Sequence, residues 1–401
     1  MADLAASLRS MMRYALALLP LLAACATVPV APAPPPAASW AWATFDAHGV
    51  TASGASGMAD PAARRPLSIK DPVRIASISK LHVALGVMRL VEAGKLDLDA
   101  DISDTLGWRL RNPAFPDTPI TLRLLLSHRS SLRDDVDYAI PLGGSIQSTL
   151  AAPAAFDSEH APGTYFRYSN LNFPVIASVM EAATGERFDR LMDRLVLKPL
   201  GLDACFNWTT CSDTTVARAV VLTAPDGSVV RDGLNGARPA CPVVPAAEGS
   251  CDLSSYVPGT NGALFSPQGG LRISVTDLAK VGAMLLANGG SFLSPASIAQ
   301  LRAPAWRFDG SNGDSEGNFY CAYGLALQTL ATCPPGDDPF GDGVAREGHA
   351  GEAYGLRSGL WIDRRTGTGV AYFATGLGDD PPKGRSAYRA IEEWLAAKAR
   401  R

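Results

Sequence analysis

The chain has 401 residues, with 36 basic against 39 acidic side chains and a formal net charge of −3. That balance gives no electrostatic case for a nucleic-acid partner, because such binders carry a basic excess. Hydrophobic residues make up 47% and charged ones 19%, which excludes a disordered chain and leaves room for one large domain or a few smaller ones.

Residues 1–24 read as a targeting segment. Arg9 and Arg13 supply a positive region, and a start at Met11 or Met12 fits it better than the longer head. Tyr14–Ala24 is apolar but short of the ~20 residues that a membrane-spanning helix needs. It ends Leu22-Ala23-Ala24-Cys25, which resembles a bacterial lipoprotein signal, with Cys25 as the lipidated new N-terminus. The alternative is an ordinary signal peptide cut near Ala26. Ala26 itself, in place of Asp, resembles the outer-membrane variety of such lipoproteins. Residues 25–38 include the run VPVAPAPPPAA and form an extended, semi-rigid tether. The expectation is an exported, periplasmic body held at a membrane by lipid, with no basic patch required.

The body starts at residue 39. Trp40–Phe45 predicts a strand, Gly49 a turn, and residues 50–58 a second strand. Residues 78–93 predict a helix, since Leu81, Leu85, Met88 and Val91 form one apolar face, and Gly94 suits its C-terminal cap. Further helices are expected over 120–127 and over 173–184, the latter with Pro174 near its start and Gly185 past its end. Residues 203–265 look loop-dominated. Ser274–Asn288 returns to helical periodicity, with Ser274 or Thr276 as cap and Asp277 in the first turn. Leu356–Asp363 and Gly369–Thr375 form a hairpin around residues 364–367, and 385–399 close as an amphipathic helix. The pattern implies an α+β fold. An antiparallel sheet is built from both termini (39–76 and about 318–401) and flanked by helices, with a mostly helical subdomain (about 77–317) inserted. The body is read as one domain, 39–401.

Seven cysteines are present. With Cys25 assigned to lipid, Cys205, Cys211, Cys241, Cys251, Cys321 and Cys333 remain, an even set suited to disulfides outside the reducing cytoplasm. Many pairings are open; the local one (205–211, 241–251, 321–333) is the simplest. No C-x2-C and no H-x-x-x-H occurs, so neither a metal nor a cofactor is expected.

Three motifs could carry chemistry. In Ser77-Ile78-Ser79-Lys80, Ser77 and Lys80 stand one helical turn apart on one face. A serine hydroxyl needs a base, and a lysine serves when burial keeps it neutral. The helix N-terminus adds amide donors for an oxyanion. Tyr168-Ser169-Asn170 offers a proton shuttle, if neighbouring cations lower the tyrosine pKa, and an amide to hold Lys80 and a substrate carbonyl. Gly348-His349-Ala350-Gly351 looks like a sheet edge where small residues admit a substrate backbone, with His349 able to donate toward Tyr168 or a substrate carboxylate. S-x-x-K and H-x-G are each weak, Y-S-N is more specific, and the ordered set is jointly informative. His82 and His128 read as helix-packing residues, His48 and His160 as turn residues.

In this order the motifs resemble those of the serine β-lactamase and D,D-peptidase superfamily. The likeness extends from about Trp40 to Leu395. It includes Glu92–Asp99, Leu124-Leu125-Leu126-Ser127-His128, and Gly269-Gly270-Leu271 followed by Ser274–Leu278. These look like the class C β-lactamase branch, which also holds D,D-carboxypeptidases, D-aminopeptidases and family VIII esterases. The resemblance implies that Ser77 is acylated and that Lys80 and Tyr168 move its proton. It implies that Asn170 positions lysine and substrate, and that the amides of Ser77 and Glu352 form the oxyanion hole. His349 with Gly351 would replace the lysine-containing third motif, which lowers the expectation of an efficient β-lactamase. Arg129 and Ser131 stand where relatives usually carry a small residue and Gly.

The reading is a serine hydrolase acting on D-amino-acid or peptidoglycan-like peptides. A carboxylesterase or weak β-lactamase is the close alternative, and a non-catalytic envelope binding protein the alternative of another class. The partners expected are a small-molecule or peptide substrate and a membrane through Cys25.

Overall fold

The structure, a computed structural model, describes residues 33–400. The expected signal segment, Cys25 and the expected tether as far as residue 32 lie outside the described residues. An eight-stranded antiparallel sheet organises the body. Its spatial order is Trp306–Arg307, Ala322–Tyr323, Gln328–Thr329, Glu347–Ala353, Leu356–Asp363, Thr368–Thr375, Ser39–Asp46 and Gly49–Ser56. The first strand thus pairs on one side with Thr368–Thr375, from Ser39↔Thr375 to Asp46↔Thr368, and on the other with Gly49–Ser56. The expected sheet from both termini is present. It also reaches back to Trp306, earlier than the boundary expected near residue 318.

Alternation sets the layers. Along Ser39–Asp46 every second residue is fully buried, so Ala41, Ala43 and Phe45 face inward. Leu360, Ile362, Ala371 and Phe373 join that face, whereas Trp361, Val370 and Tyr372 cover the opposite one with Ile391 and Leu395. Helix Val275–Leu286 packs on the first face, capped by the Ser274 hydroxyl, which accepts the Asp277 N–H at 3.1 Å. The crossing is tight: a Cβ on Gly282 would come 2.1 Å from the Phe45 ring.

The terminal helix covers Ala390–Ala396 and continues as a 3₁₀ turn, Ala397–Arg400. It starts five residues later than the expected 385. Arg385 and Ser386 instead give their N–H groups to the Glu393 carboxylate at 2.8 and 2.9 Å, folding that segment back over the first turn. The second strand also stops at Ser56, because Gly57 turns the chain at φ +92.

Ser79–Glu92 and Asn172–Thr184 form the heart of the helical layer and are buried almost all round. Residues 203–265 are mostly loop, with short strands at Cys205–Phe206, Leu222–Thr223 and Val229–Arg231 and a helix at Asp213–Arg218. The six cysteines pair locally, as 205–211, 241–251 and 321–333. Among the described residues no helix is long and apolar enough to cross a membrane.

Candidate active site

A second small sheet delivers Ser77. Val73–Arg74 pairs with Leu271–Ile273, which pairs in turn with Cys205–Phe206. The chain then turns sharply, with Ala76 in the left-handed region at φ +51, and Ser77 occupies the 3₁₀ turn Ala76–Ile78 that opens helix Ser79–Glu92. A non-glycine residue there stores strain of the kind found beside functional groups. Ser79, the other serine of the motif, is structural. Its buried hydroxyl donates to the Ala76 carbonyl at 2.6 Å and accepts the Leu271 N–H at 3.1 Å.

Lys80 is fully buried one turn behind Ser77. Its Nζ lies 3.0 Å from Ser77 Oγ, 2.8 Å from Asn170 Oδ1 and 2.9 Å from the Gln268 carbonyl. Burial pulls its pKa down to about 7, against the opposing pull of Asp134 and Glu316. A neutral amine in this pocket donates to the two carbonyl oxygens and accepts the Ser77 hydroxyl proton.

The Tyr168 ring is sandwiched between His128, centroids 4.2 Å apart, and Tyr320, 4.8 Å apart, with Lys80 Nζ 4.8 Å over its face. Its hydroxyl is close to those of Ser77 and Tyr320 but closes a hydrogen bond with neither. The expected lowering of the Tyr168 pKa by cations is corrected here. Burial raises it, and this outweighs its hydroxyl neighbours. Tyr168 therefore holds its proton and stands as a donor.

Asp134 organises this loop. Its carboxylate accepts from the Ser169 hydroxyl (2.8 Å), the Asn170 N–H (2.8 Å), the Asn170 side-chain amide (3.0 Å) and the Leu171 N–H (2.9 Å). One of the two amide protons of Asn170 is thereby used, leaving one for a substrate carbonyl. His128 accepts the Ser169 N–H on Nδ1 at 3.1 Å and is buried, in keeping with a packing role. Its φ of +56 and the +64 of Ser131 place two non-glycine residues of this turn in the left-handed region. His82 is likewise a buried helix residue on the Ile78 carbonyl.

The strand Glu347–Ala353 forms the opposite wall. Its pairing with Gln328–Thr329 ends at Gly348, so no strand covers that edge from His349 onward. Gly351 faces the Ser77 turn so closely that a Cβ would come 2.4 Å from the Ile75 carbonyl and 3.2 Å from the Ser77 nitrogen. Ser77 and the Gly351-Glu352 step are thus neighbours, as an oxyanion hole built from both would require.

His349 takes a different place from the expected one. It is fully buried behind Tyr168 and is not part of the cleft surface. Nδ1 is bonded to its own neighbour's carbonyl at Ala350, and Nε2 lies 2.7 Å from the Tyr323 hydroxyl. That arrangement fixes a proton on Nδ1 and makes Nε2 an acceptor. Burial and the proximity of Lys80 push its pKa down to about 3. His349 is therefore neutral and has no free donor for Tyr168 or a substrate.

A cleft of about 370 Å³ opens over Ser77. Tyr168, Asn170, Gly351 and Glu352 line it, as do Glu316, Tyr320, Arg357, Arg389 and Glu392, which the motifs did not reveal. Arg357 pairs with Glu352, and Arg389 reaches Asp380 at 2.7 Å.

Residues 37–393 match the family model described as Beta-lactamase. The chain belongs to the beta-lactamase family. Among curated relatives, esterase EstB of Burkholderia gladioli is 29% identical over 63% of this chain and 69% of its own length. The D-alanyl-D-alanine-carboxypeptidase/endopeptidase AmpH of Escherichia coli K12 is 29% identical over 32% of this chain, and the match spans 35% of that protein. Of solved structures, the D-amino acid amidase from Ochrobactrum anthropi SV3 superposes with a TM-score of 0.64 at 20% identity, covering 90% of this chain and 92% of that one. This places the chain in a family of serine hydrolases with a beta-lactamase-like fold.

Proposed function

We propose that the protein hydrolyses its substrate through an acyl-enzyme on Ser77, and that the bond cleaved is an amide of a D-amino-acid or peptidoglycan-like peptide. The observation that carries the acyl-enzyme reading is the buried Lys80, hydrogen-bonded to Ser77 Oγ with a pKa brought down to about 7. Neutral Lys80 takes the Ser77 proton as Oγ bonds to the substrate carbonyl carbon. The amides of Ser77 and Glu352 hold the resulting oxyanion. Tyr168, protonated, gives its proton to the leaving nitrogen as the C–N bond breaks and recovers one from the Lys80 ammonium. A water molecule then attacks the ester carbonyl and returns the hydroxyl of Ser77.

Amide substrates are supported by the amidase fold and by the AmpH match. The EstB match favours a second reading, a carboxylesterase on short acyl esters. A fluorophosphonate or a fluorescent penicillin should label wild-type protein and not Ser77→Ala. Absence of labelling, with hydrolysis unchanged in Ser77→Ala, would refute the acyl-enzyme. Rates on a D-Ala-D-Ala peptide, p-nitrophenyl butyrate and nitrocefin then rank amidase, esterase and β-lactamase.

We further propose export, with lipid attached at Cys25 and an outer-membrane, periplasmic location. Three disulfides suit an oxidising compartment. Radiolabelled palmitate incorporation that is lost in Cys25→Ala is the expected result; equal incorporation in both would refute it.

A further inference from the structure

The charged groups of the cleft are nearly all spoken for. Lys80 makes three hydrogen bonds, Arg357 holds Glu352, Arg389 holds Asp380, and Glu392 accepts the Arg389 N–H at 2.9 Å. Glu316 is the exception. Among the described residues its carboxylate accepts no hydrogen bond and meets no cation at ion-pair distance, yet it lines the cleft with Ser77.

Glu316 is exposed to solvent, but its loop is held in place. Glu316 has φ +48, and its N–H is tied to Asp314 at 2.9 Å. The loop is closed by the Tyr320 N–H on the Ser315 carbonyl at 3.0 Å and is followed at once by the Cys321–Cys333 bridge. The carboxylate is near enough to Lys80 and Tyr168 to act on both electrostatically. Beside it, the buried Tyr168 hydroxyl also lacks a partner within the protein. Among the described residues, two polar groups of the nucleophile's cleft thus have no protein partner: an exposed carboxylate and a buried hydroxyl.

We propose that Glu316 anchors a free ammonium group of the substrate, so that the enzyme prefers amino-acid or peptide derivatives with an unblocked amine over their acylated counterparts. This rests on the acyl-enzyme reading above. The chemistry fits the electrostatics. Desolvation in the cleft first, then Asp314, Glu352 and Asp134, raise the Glu316 carboxyl toward neutral pH. A bound cation reverses that pressure, and a charge-assisted hydrogen bond results. A neutral acyl amide in the same place would leave the carboxylate uncompensated.

The test compares D-alanine p-nitroanilide with its N-acetyl form in wild type, Glu316→Gln and Glu316→Asp. The expected result is a wild-type preference in kcat/KM of about tenfold or more for the free amine. Glu316→Gln should lower that ratio by about the same factor, and Glu316→Asp should retain part of it. A second readout needs no turnover: D-alaninamide should slow fluorophosphonate labelling of Ser77 more than N-acetyl-D-alaninamide does, in wild type only. A wild-type preference for the acetylated compound, or a ratio unmoved in Glu316→Gln in both assays, overturns the proposal. Labelling of Ser77 without discrimination removes this inference alone. Absence of labelling removes the acyl-enzyme reading and this one with it.

Discussion

Lys80 Nζ stands 3.0 Å from Ser77 Oγ while two carbonyl oxygens, of Asn170 and Gln268, take its remaining hydrogen-bonding directions. All three contacts suit an ammonium, but only the neutral amine can accept from Ser77. The proton must therefore leave before acylation. Since the Lys80 pKa lies at about 7, kcat/KM for an uncharged acyl donor should rise with pH through that value and level off above it. Tyr168, raised by burial, adds no descending limb near neutrality. A pH–rate profile checks this, and Lys80→Arg, which stays charged, should lose the limb and about 10²–10⁴-fold of rate. The sign for stability is the same. An unfolded chain holds the lysine proton up to 10.5 and the folded one only to about 7. This group's contribution to stability therefore grows with pH between those values and is lost as pH falls through the lower.

Tyr168 separates catalysis from folding. Among the described residues its hydroxyl has no hydrogen-bond partner, so Tyr168→Phe strands no buried group and keeps the stacked rings on either side. Its thermal midpoint should match wild type to within a few degrees, while kcat falls about 10²-fold or more. Equal activity with amide substrates would remove Tyr168 from proton delivery.

Asp134 should do the reverse as well as the obvious. Asp134→Ala leaves four donors of the Ser169–Leu171 segment without an acceptor, a loss of about 1.5–3 kcal/mol in chemical denaturation. It also removes the larger of the two charges that hold the Lys80 pKa up. The rising limb of the pH profile should then move below 7, which a merely unstable variant would not show.

Much of this site was legible because its chemistry is local. Ser77 and Lys80 are three residues apart on a helix whose apolar periodicity is plain, and Gly351 had to be small to pass the Ser77 turn. The rest arises from loops. Asp134 reaches the tyrosine motif across 35 residues or more, and an acidic pair after Arg133 carries no periodic signal. Glu316 sits in an irregular loop for the same reason. His349 was read as a donor because nothing in the sequence shows that Tyr323 would take its second nitrogen. The terminal helix began late because Glu393 captures the residues before it, a tertiary contact that overrides helical pattern.

Bridging Cys321 to Cys333 fixes the residue next to Tyr320, and Tyr320 stacks on Tyr168. The Cys321→Ser/Cys333→Ser pair should cost about 2–3 kcal/mol and lower kcat as Tyr168 loses its support. Loss of Cys241–Cys251, which braces a loop elsewhere, should affect denaturation alone. Paired denaturation curves and kcat values decide it; identical kcat losses would place both bridges in a general scaffolding role.

The first strand lies between Gly49–Ser56 and Thr368–Thr375. One of its two neighbours is thus synthesised long after the other. Until residue 375 has left the ribosome, the first strand has one ladder missing, and the wall carrying Gly351 has no completed sheet behind it. The nucleophile turn is made early, the surface it works against much later. A chain cut short before Thr368 should accordingly react with no acyl donor, although its nucleophile turn is complete.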